Sequence, residues 1–410
     1  MGILVVVIGL AISIGLHEFG HLIPAKLFGV RVPHWAIGFG PKLFSKKIGE
    51  TEYSFRLIPL GGYITMIGMY PPDRKGKDSK RPFGRLIAQA REAHKEHQEP
   101  GDEGVRTLYS LPAWKRIIIM FGGPFTNLVL GLVILTSVFA TVGTTTQTNK
   151  VGSVVECLQA MTGGECDASS QPTPAKQAGL QSGDQIISVN GTATADAEAV
   201  QTLVRATGND VRLEILREGA EISVNLSAAT VNLTTRAEDG TEVTKETRVI
   251  GVVFGSEQSP VGFAEAAGSA TEILTGTFGF IGSFPEQVYS AVSKTFAGEP
   301  RDPTGAISIV GVAQASGASD SFAYWLFLIG SLNIALFVFN MIPLPPLDGG
   351  HIAGGIYEYL KRGAYRLVGK KDPGPVDTAL MAPIAQFMFV ALFLAGILMI
   401  IADSVNPISF

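Results

Sequence analysis

Four long apolar runs limit what this chain can fold into. They lie near residues 2–28, 115–142, 322–345 and 381–402. The second, IIIMFGGPFTNLVLGLVILTSVFATV, and the fourth, LMAPIAQFMFVALFLAGILMIIA, are each long enough to cross a hydrocarbon core of ~30 Å. The third, FAYWLFLIGSLNIALFVFNMIP, carries two asparagines and runs into prolines, so it is expected to pack against protein rather than face lipid all round. The first run has no basic residue before Lys26 and therefore reads as a span, not as a secretory leader with a basic start. Shorter apolar pieces at 57–69 and 276–292 are candidates for re-entrant or interfacial elements.

Charge gives an orientation. Residues 24–116 hold 17 Lys or Arg against 9 Asp or Glu, residues 143–321 hold 10 against 21, and residues 346–380 hold 5 against 4. Basic residues close to span ends mark the cytoplasmic side. Lys26, Arg31, Lys115 and Arg116 thus put the first loop inside and the acidic middle outside. Residues 346–380, with Lys361, Arg362 and Arg366, return inside, and both termini end up outside. The net charge of -4 belongs mostly to the outer segment and argues against a nucleic-acid partner for it. The only two cysteines, Cys157 and Cys166, fall in that segment, where a disulfide is permitted; two free buried thiols fit the sequence equally well.

In the first inner loop, TEYSFRLIPLGGYITMIG alternates apolar and polar residues before Pro59, Gly61 and Gly62. That pattern predicts a hairpin or small sheet, about residues 50–66, turning back toward the membrane. Residues 71–107 are highly charged, with a short helix expected over 83–97. His94 and His97 sit there at i,i+3, read as a solvated face rather than a metal site. In the outer segment VGSVVECL reads as a strand, Ala175 to Gly179 as a short helix, QIISVNG as a strand ending in an Asn-Gly turn, and ADAEAVQTLVRATG as a helix. VRLEILREGAEISVNLSA is a hairpin turning on Glu218-Gly219, which completes one compact domain over 148–230. Residues 231–262 read as one further hairpin ending in RVIGVVFG, and 263–321 as amphipathic helical pieces lying on the membrane surface.

The chemistry sits where the first run is interrupted. After fifteen uncharged residues, GILVVVIGLAISIGL, comes HEFGHL, His17 to Leu22. In a helix His17 and His21 share one face with Cβ atoms ~5–6 Å apart, so both imidazoles can meet one zinc ion. Glu18 beside them can take a proton from a water that zinc acidifies. Three polar residues at a helix end are the bland alternative, but at lipid depth such groups are costly unless ligated or paired. Two histidines leave zinc short of a ligand. NMIPLPPLDGGH, at the end of the third run, offers Asp348 after a helix broken by Pro343, Pro345 and Pro346. His351 could replace Asp348 in principle, although a role beside the ligands suits its position better. Asn340 and Asn127 are the buried amides available to bind substrate or an oxyanion, if they are not simply packing residues.

These motifs together resemble the site-2 protease family, the intramembrane zinc metalloproteases, and most of all bacterial members with a periplasmic PDZ domain. HEFGH resembles the family's first zinc motif and LDGG its second, which implies Asp348 as third ligand. FGGPFTN, residues 121–127, resembles a GPxxN element of the second span, and FRLIPLGGYITM, residues 55–66, a cytoplasmic membrane-associated β-hairpin. Asn340 matches an asparagine the family carries before the aspartate motif. KQAGLQSGDQIISVNG is similar to a PDZ signature. The implied fold is a polytopic α-helical membrane protein with about four transmembrane helices, a cytoplasmic membrane-associated β-hairpin and an extracytoplasmic PDZ domain. Its segments are 1–28, 29–114, 115–142, 148–230, 231–321, 322–345, 346–380 and 381–403.

The implied activity is zinc-dependent hydrolysis within the transmembrane segment of a single-span protein, such as a pre-trimmed anti-sigma factor or a remnant signal peptide. One zinc per chain, catalytic Glu18, and Gly61, Gly62, Asn127 and Asn340 as substrate-side candidates follow from the resemblance. The implied partners are the single-span substrate, a trimmed C-terminal tail on the PDZ domain, and an upstream site-1-type protease acting on the same substrate. The implied location is the plasma (inner) membrane, with the PDZ domain outside and the zinc toward the cytoplasm. A transporter with broken helices and a catalytically dead scaffold are the rival classes. Neither needs His17, Glu18, His21 and Asp348 together.

Overall fold

The computed structural model describes all residues except 74–75, 77–81, 96–105, 163–164, 168, 237–241, 303–304 and 409–410. The chain divides into two compact units, Met1–Thr141 with Gly262–Phe410, and Val142–Val261. The first unit begins with α1 (Gly2–Leu27), β1 (His34–Ile48), β2 (Thr51–Thr65), α2 (Gly84–Lys95) and α3 (Ala113–Thr141). The second unit holds β3 (Thr144–Val154), α4 (Pro174–Gln177), β4 (Gln185–Val189), β5 (Thr192–Ala193), α5 (Ala197–Ala206) and β6 (Asp210–Arg217). It continues with β7 (Ala220–Ser227), β8 (Ala229–Arg236), β9 (Glu242–Val249) and β10 (Val252–Ser259). The chain then re-enters the first unit as α6 (Phe263–Ala297), α7 (Ile309–Gly317), α8 (Phe322–Asn340), α9 (Asp348–Leu367) and α10 (Ala382–Val405).

The four apolar runs all become helices. Among the described residues α1, α3, α8 and the stretch Thr378–Val405 are long and apolar enough to cross a membrane. α3 is the hub of this unit and packs against α1, α6, α8 and α9. Ile119 and Met120 of α3 join Leu22 and Ala25 of α1 in one buried cluster, while Leu135 joins Ile334, Phe337 and Val338 of α8 in another. α10 keeps Phe387, Phe389 and Phe393 exposed, the surface a span offers to lipid. Its end is tied down by Asp403, which is buried against Arg301 (2.5 Å) and accepts from the Ser308 and Gly311 N–H groups at 2.5 and 3.2 Å. A charge pair can be buried there because both partners have further hydrogen bonds, Arg301 donating to the Ala306 carbonyl.

The inner loop differs from the sequence expectation in extent. The hairpin runs from His34 to Thr65 rather than over 50–66, and it doubles back on itself. Residues 34–37 register with both 52–55 and 62–65, while Lys42–Ile48 registers with Thr51–Arg56. The segment 62–65 therefore has a partner on one side only among the described residues. Phe39, Leu43, Phe44, Leu57 and Ile58 stay exposed on this hairpin. α2 forms within the helix expected over 83–97; the His94 side chain and His97 lie outside the described residues.

The segment 263–321 is corrected too. In place of separate surface pieces, Phe263–Ala297 is one 35-residue helix packed on α3 and α8. Its alanines explain the contact. Ala266 and Ala270 are fully buried, and small residues let helices approach closely.

The second unit is a sheet in the order β10-β3-β4-β6-β7, with β5 on β4. Val151, Ile186, Val189, Leu213 and Ile215 form its core with Val200 and Val204 of α5. Asp196 caps α5 by accepting from the Ala199 N–H at 2.8 Å. The turns at Asn190-Gly191 and Glu218-Gly219 have positive φ at both positions, as two-residue hairpin loops of this twist require. RVIGVVFG does not close a separate hairpin. β8 pairs with β9, but β10 crosses to pair antiparallel with β3, which extends this unit beyond 230 to Ser259. Ile250, Val252 and Phe254 are drawn there by the apolar core they cover. Cys157 and Cys166 are joined as a disulfide.

The Gly183-Asp184 turn is held by Arg217, whose Nε and Nη2 donate to Asp184 Oδ1 and Oδ2, each at 2.7 Å. Burial pushes the Asp184 carboxyl up, but the Arg217 guanidinium and the Gln181 N–H outweigh it and hold the group below the usual carboxylate range. A depressed folded pKa gives stability that is present above the unfolded value of about 3.9 and is lost as pH falls through the folded one. Asp184→Asn in the excised segment 142–261 is expected to lose about 2 kcal/mol at pH 7 and to flatten the acid-side decline. Urea unfolding of both forms at pH 7 and in acid checks this; equal midpoints at pH 7 would contradict it.

Candidate metal centre

α1 sets His17 and His21 one turn apart, and their rings meet edge to face with centroids 4.8 Å apart. The two Nε2 atoms are 3.2 Å apart. Asp348 Oδ2 lies 3.3 Å from His17 Nε2 and 3.4 Å from His21 Nε2. Two zinc ligands at 2.0–2.1 Å on tetrahedral corners are separated by about 3.3–3.4 Å. The three atoms are thus spaced as the edges of a zinc tetrahedron, and nitrogen, nitrogen and carboxylate oxygen make a catalytic zinc donor set. Among the described residues they are the one such group of three or more.

Asp348 reaches this point because α8 cannot continue. Pro343, Pro345 and Pro346 follow its end, and the chain restarts as α9 with Asp348 as its first residue. Gly349 leaves room for the Ile342 carbonyl, and a side chain at Gly350 would meet Pro345 N at 2.6 Å. The aspartate is therefore clamped between the end of one helix and the start of the next.

α3 supplies the outer side of the centre, which the sequence reading did not foresee. His21 Nδ1 donates to the Ile119 carbonyl at 2.8 Å. A carbonyl only accepts, so the proton sits on Nδ1 and Nε2 is left bare for a metal. A Cβ at Gly123 would strike the His21 ring, and Gly20 and Gly122 bring the backbones of α1 and α3 into contact. The pair GG in FGGPFTN was the available signal, since small residues mark close helix contacts in membranes. Asn127 is 1% exposed and its Nδ2 is 3.3 Å from His17 Nδ1. It stands against His17 and also lines the cavity that the histidines border.

The centre opens into a cavity of about 680 Å³ lined by Ile14, Glu18, Gly61, Gly62, Met66 and Asn340, with His351 also on its wall. Glu18 is 8% exposed and lies on α1 next to His17. Gly62 brings the hairpin over Glu18: a Cβ there would meet Glu18 Cγ at 3.1 Å and the Ala36 carbonyl at 2.9 Å. The structure thus brings together His17, Glu18, His21, Asp348, Gly61, Gly62, Asn127 and Asn340 around one cavity.

The sequence profile of peptidase family M50 matches residues 5–370. The chain is 28% identical over 424 residues to the zinc metalloprotease Rip1 of Mycobacterium bovis, covering 99% of this chain and 98% of that protein. It is 29% identical over 420 residues to the Rip1 of Mycobacterium tuberculosis, again covering 99% and 98%. It is 28% identical over 433 residues to the Rip1 of Mycolicibacterium smegmatis, covering 100% and 98%.

Elemental analysis of the purified protein is expected to find about one zinc per chain and far less in Asp348→Ala. Gly123→Ala is expected to weaken zinc retention about 10–100-fold, the scale on which displaced ligand supports act, by pushing the His21 ring out of place. Full zinc in Asp348→Ala would move the third ligand elsewhere, with His351 next in line.

Proposed function

The chain belongs to peptidase family M50, the site-2 proteases, and on that premise we propose that it cleaves the transmembrane segment of single-span membrane proteins, with His17, His21 and Asp348 as zinc ligands and Glu18 as the base. It is a zinc-dependent metalloendopeptidase and a membrane protein. The observation that carries the finer reading is the position of the donors. His17, Glu18 and His21 lie in α1, one of the helices apolar and long enough to span, and the cavity they line is walled by other such helices. A peptide bond meeting them must come from a chain already in the membrane.

Zinc supplies a Lewis acid that makes water reactive at neutral pH. Glu18 takes the proton of the attacking water at its carboxylate and passes one to the leaving amine. Asn340, on the cavity wall, is the amide that would donate to the oxyanion. A helix must unwind before its carbonyl is accessible. The one-sided segment 62–65 lies on the same cavity and suits the pairing of an extended substrate, which would hold the backbone straight beside Glu18. The exposed Phe39, Leu43 and Phe44 of the hairpin suit a bilayer edge.

The second unit is read as a PDZ domain that filters substrates. Its edge strand β10 faces α5 across a cavity of about 250 Å³ lined by Val200, Val204, Arg248, Val252 and Phe254. An extended tail could add to β10 and set side chains against the valines, with Arg248 and Arg205 near its carboxylate. The charge bias supports a plasma-membrane orientation with this unit outside and the zinc toward the cytoplasm. Pre-trimmed anti-sigma factors and remnant signal peptides are substrates of the right form, and an upstream site-1-type protease would do the trimming.

Glu18→Gln is expected to keep zinc and fold while hydrolysis of a single-span substrate falls about 10²–10⁴-fold. Near-normal turnover would end the base assignment. Deleting residues 142–261 is expected to preserve cleavage of a short-tailed substrate and to admit the same helix carrying a bulky outer tail. Loss of both cleavages with zinc still bound would make that unit part of the catalytic machinery rather than its filter.

A further inference from the structure

Both histidines touch α3 through their outer nitrogens, yet the two contacts are not alike. His21 Nδ1 donates to the Ile119 carbonyl. His17 Nδ1 faces Asn127 Nδ2 at 3.3 Å, and an amide nitrogen only donates. If His17 offers its Nε2 lone pair to a metal, its proton sits on Nδ1, and two donors would then face each other. At the same residue Asn127 Oδ1 is buried without a hydrogen-bond partner. Turning the carboxamide end for end gives Oδ1 the His17 Nδ1–H as its donor and removes the donor–donor contact without changing the group's shape; Nδ2 then takes the place that Oδ1 held.

We propose that Asn127 is a positioning residue of the metal centre: its Oδ1 accepts from His17 Nδ1–H and fixes the ring's tautomer and plane, as the Ile119 carbonyl does for His21. The inference rests on the metal-site reading of His17, His21 and Asp348, and it goes further by giving Asn127, which also lines the cavity, the task of holding a ligand in place. The residue type fits the place. A neutral acceptor satisfies the imidazole at membrane depth without adding a charge. Asn127 and Ile119 are eight positions apart on α3, just over two turns, so one helix face serves both rings. Hydrogen bonds of this kind raise the basicity of a ligating imidazole as well as aiming it.

The test reads zinc rather than turnover, so its failure is distinct from a failure of the protease reading. Full-length protein in detergent, loaded with zinc, is titrated with a competing chelator in wild type, Asn127→Ala and Asn127→Asp. Asn127→Ala is expected to bind zinc about 10–100-fold more weakly. Asn127→Asp should stay near wild type, because a carboxylate accepts the same proton. Nitrogen-labelled histidine gives a second measure. Wild type should show slowly exchanging Nδ1–H signals for both ligands, and Asn127→Ala for His21 alone. Equal zinc affinity in wild type and Asn127→Ala overturns the proposal, as does Asn127→Asp losing as much as Asn127→Ala. If Asn127→Ala does not fold, Asn127→Asp decides: loss of zinc or of the His17 signal in the folded variant overturns the proposal.

Discussion

The backbones of α1 and α3 touch at Gly20 and Gly122, and the geometry around the histidines depends on that contact. In lipid there is no hydrophobic gain from pressing two apolar helices together, so close association needs surfaces that let main chains approach. Any side chain at either glycine would part the helices. The Ile119 carbonyl would then drop out of reach of His21 Nδ1, and the space at Gly123 that the His21 ring fills would open. Two helices held this close act as one rigid support, which is what a metal site with narrow distance tolerances requires.

The third donor is delivered differently. Asp348 is carried by a helix that starts where another stops, and its carboxylate sits in the first turn of α9, the end at which a helix favours negative charge. The hairpin then closes the remaining side, with Gly62 against Glu18. The two histidines, the clamped aspartate and Glu18 under the hairpin all border the one cavity.

What could be read from the sequence depended on whether the relation was local. His17 and His21 are one turn apart, so their shared face is visible in the spacing, and the three prolines before Asp348 announce a broken helix. The four helices long and apolar enough to cross a membrane are legible because each is a continuous apolar run. Asn127 was visible as a buried amide, but its contact with His17 crosses 110 positions and leaves no period in the chain. The pairing of β10 with β3 is equally remote, so RVIGVVFG looked like the end of a local hairpin instead of the edge of an earlier sheet. The helical pieces expected over 263–321 were not seen as one long helix, because the glycines, alanines and serines of α6 weaken any periodic signal while serving close packing.

The β3–β10 pairing has a consequence for how such a chain can evolve. Thr144 pairs with Ser259, so the inserted unit ends beside the place where it begins. A module whose two ends are neighbours can be spliced into a loop without prying apart whatever flanks it. It can be exchanged for another domain, or followed by a duplicate in series, while the helices that carry His17, His21 and Asp348 keep their own packing. Selection on the inserted unit and selection on the helices beneath the candidate metal centre can then proceed on separate stretches of one gene.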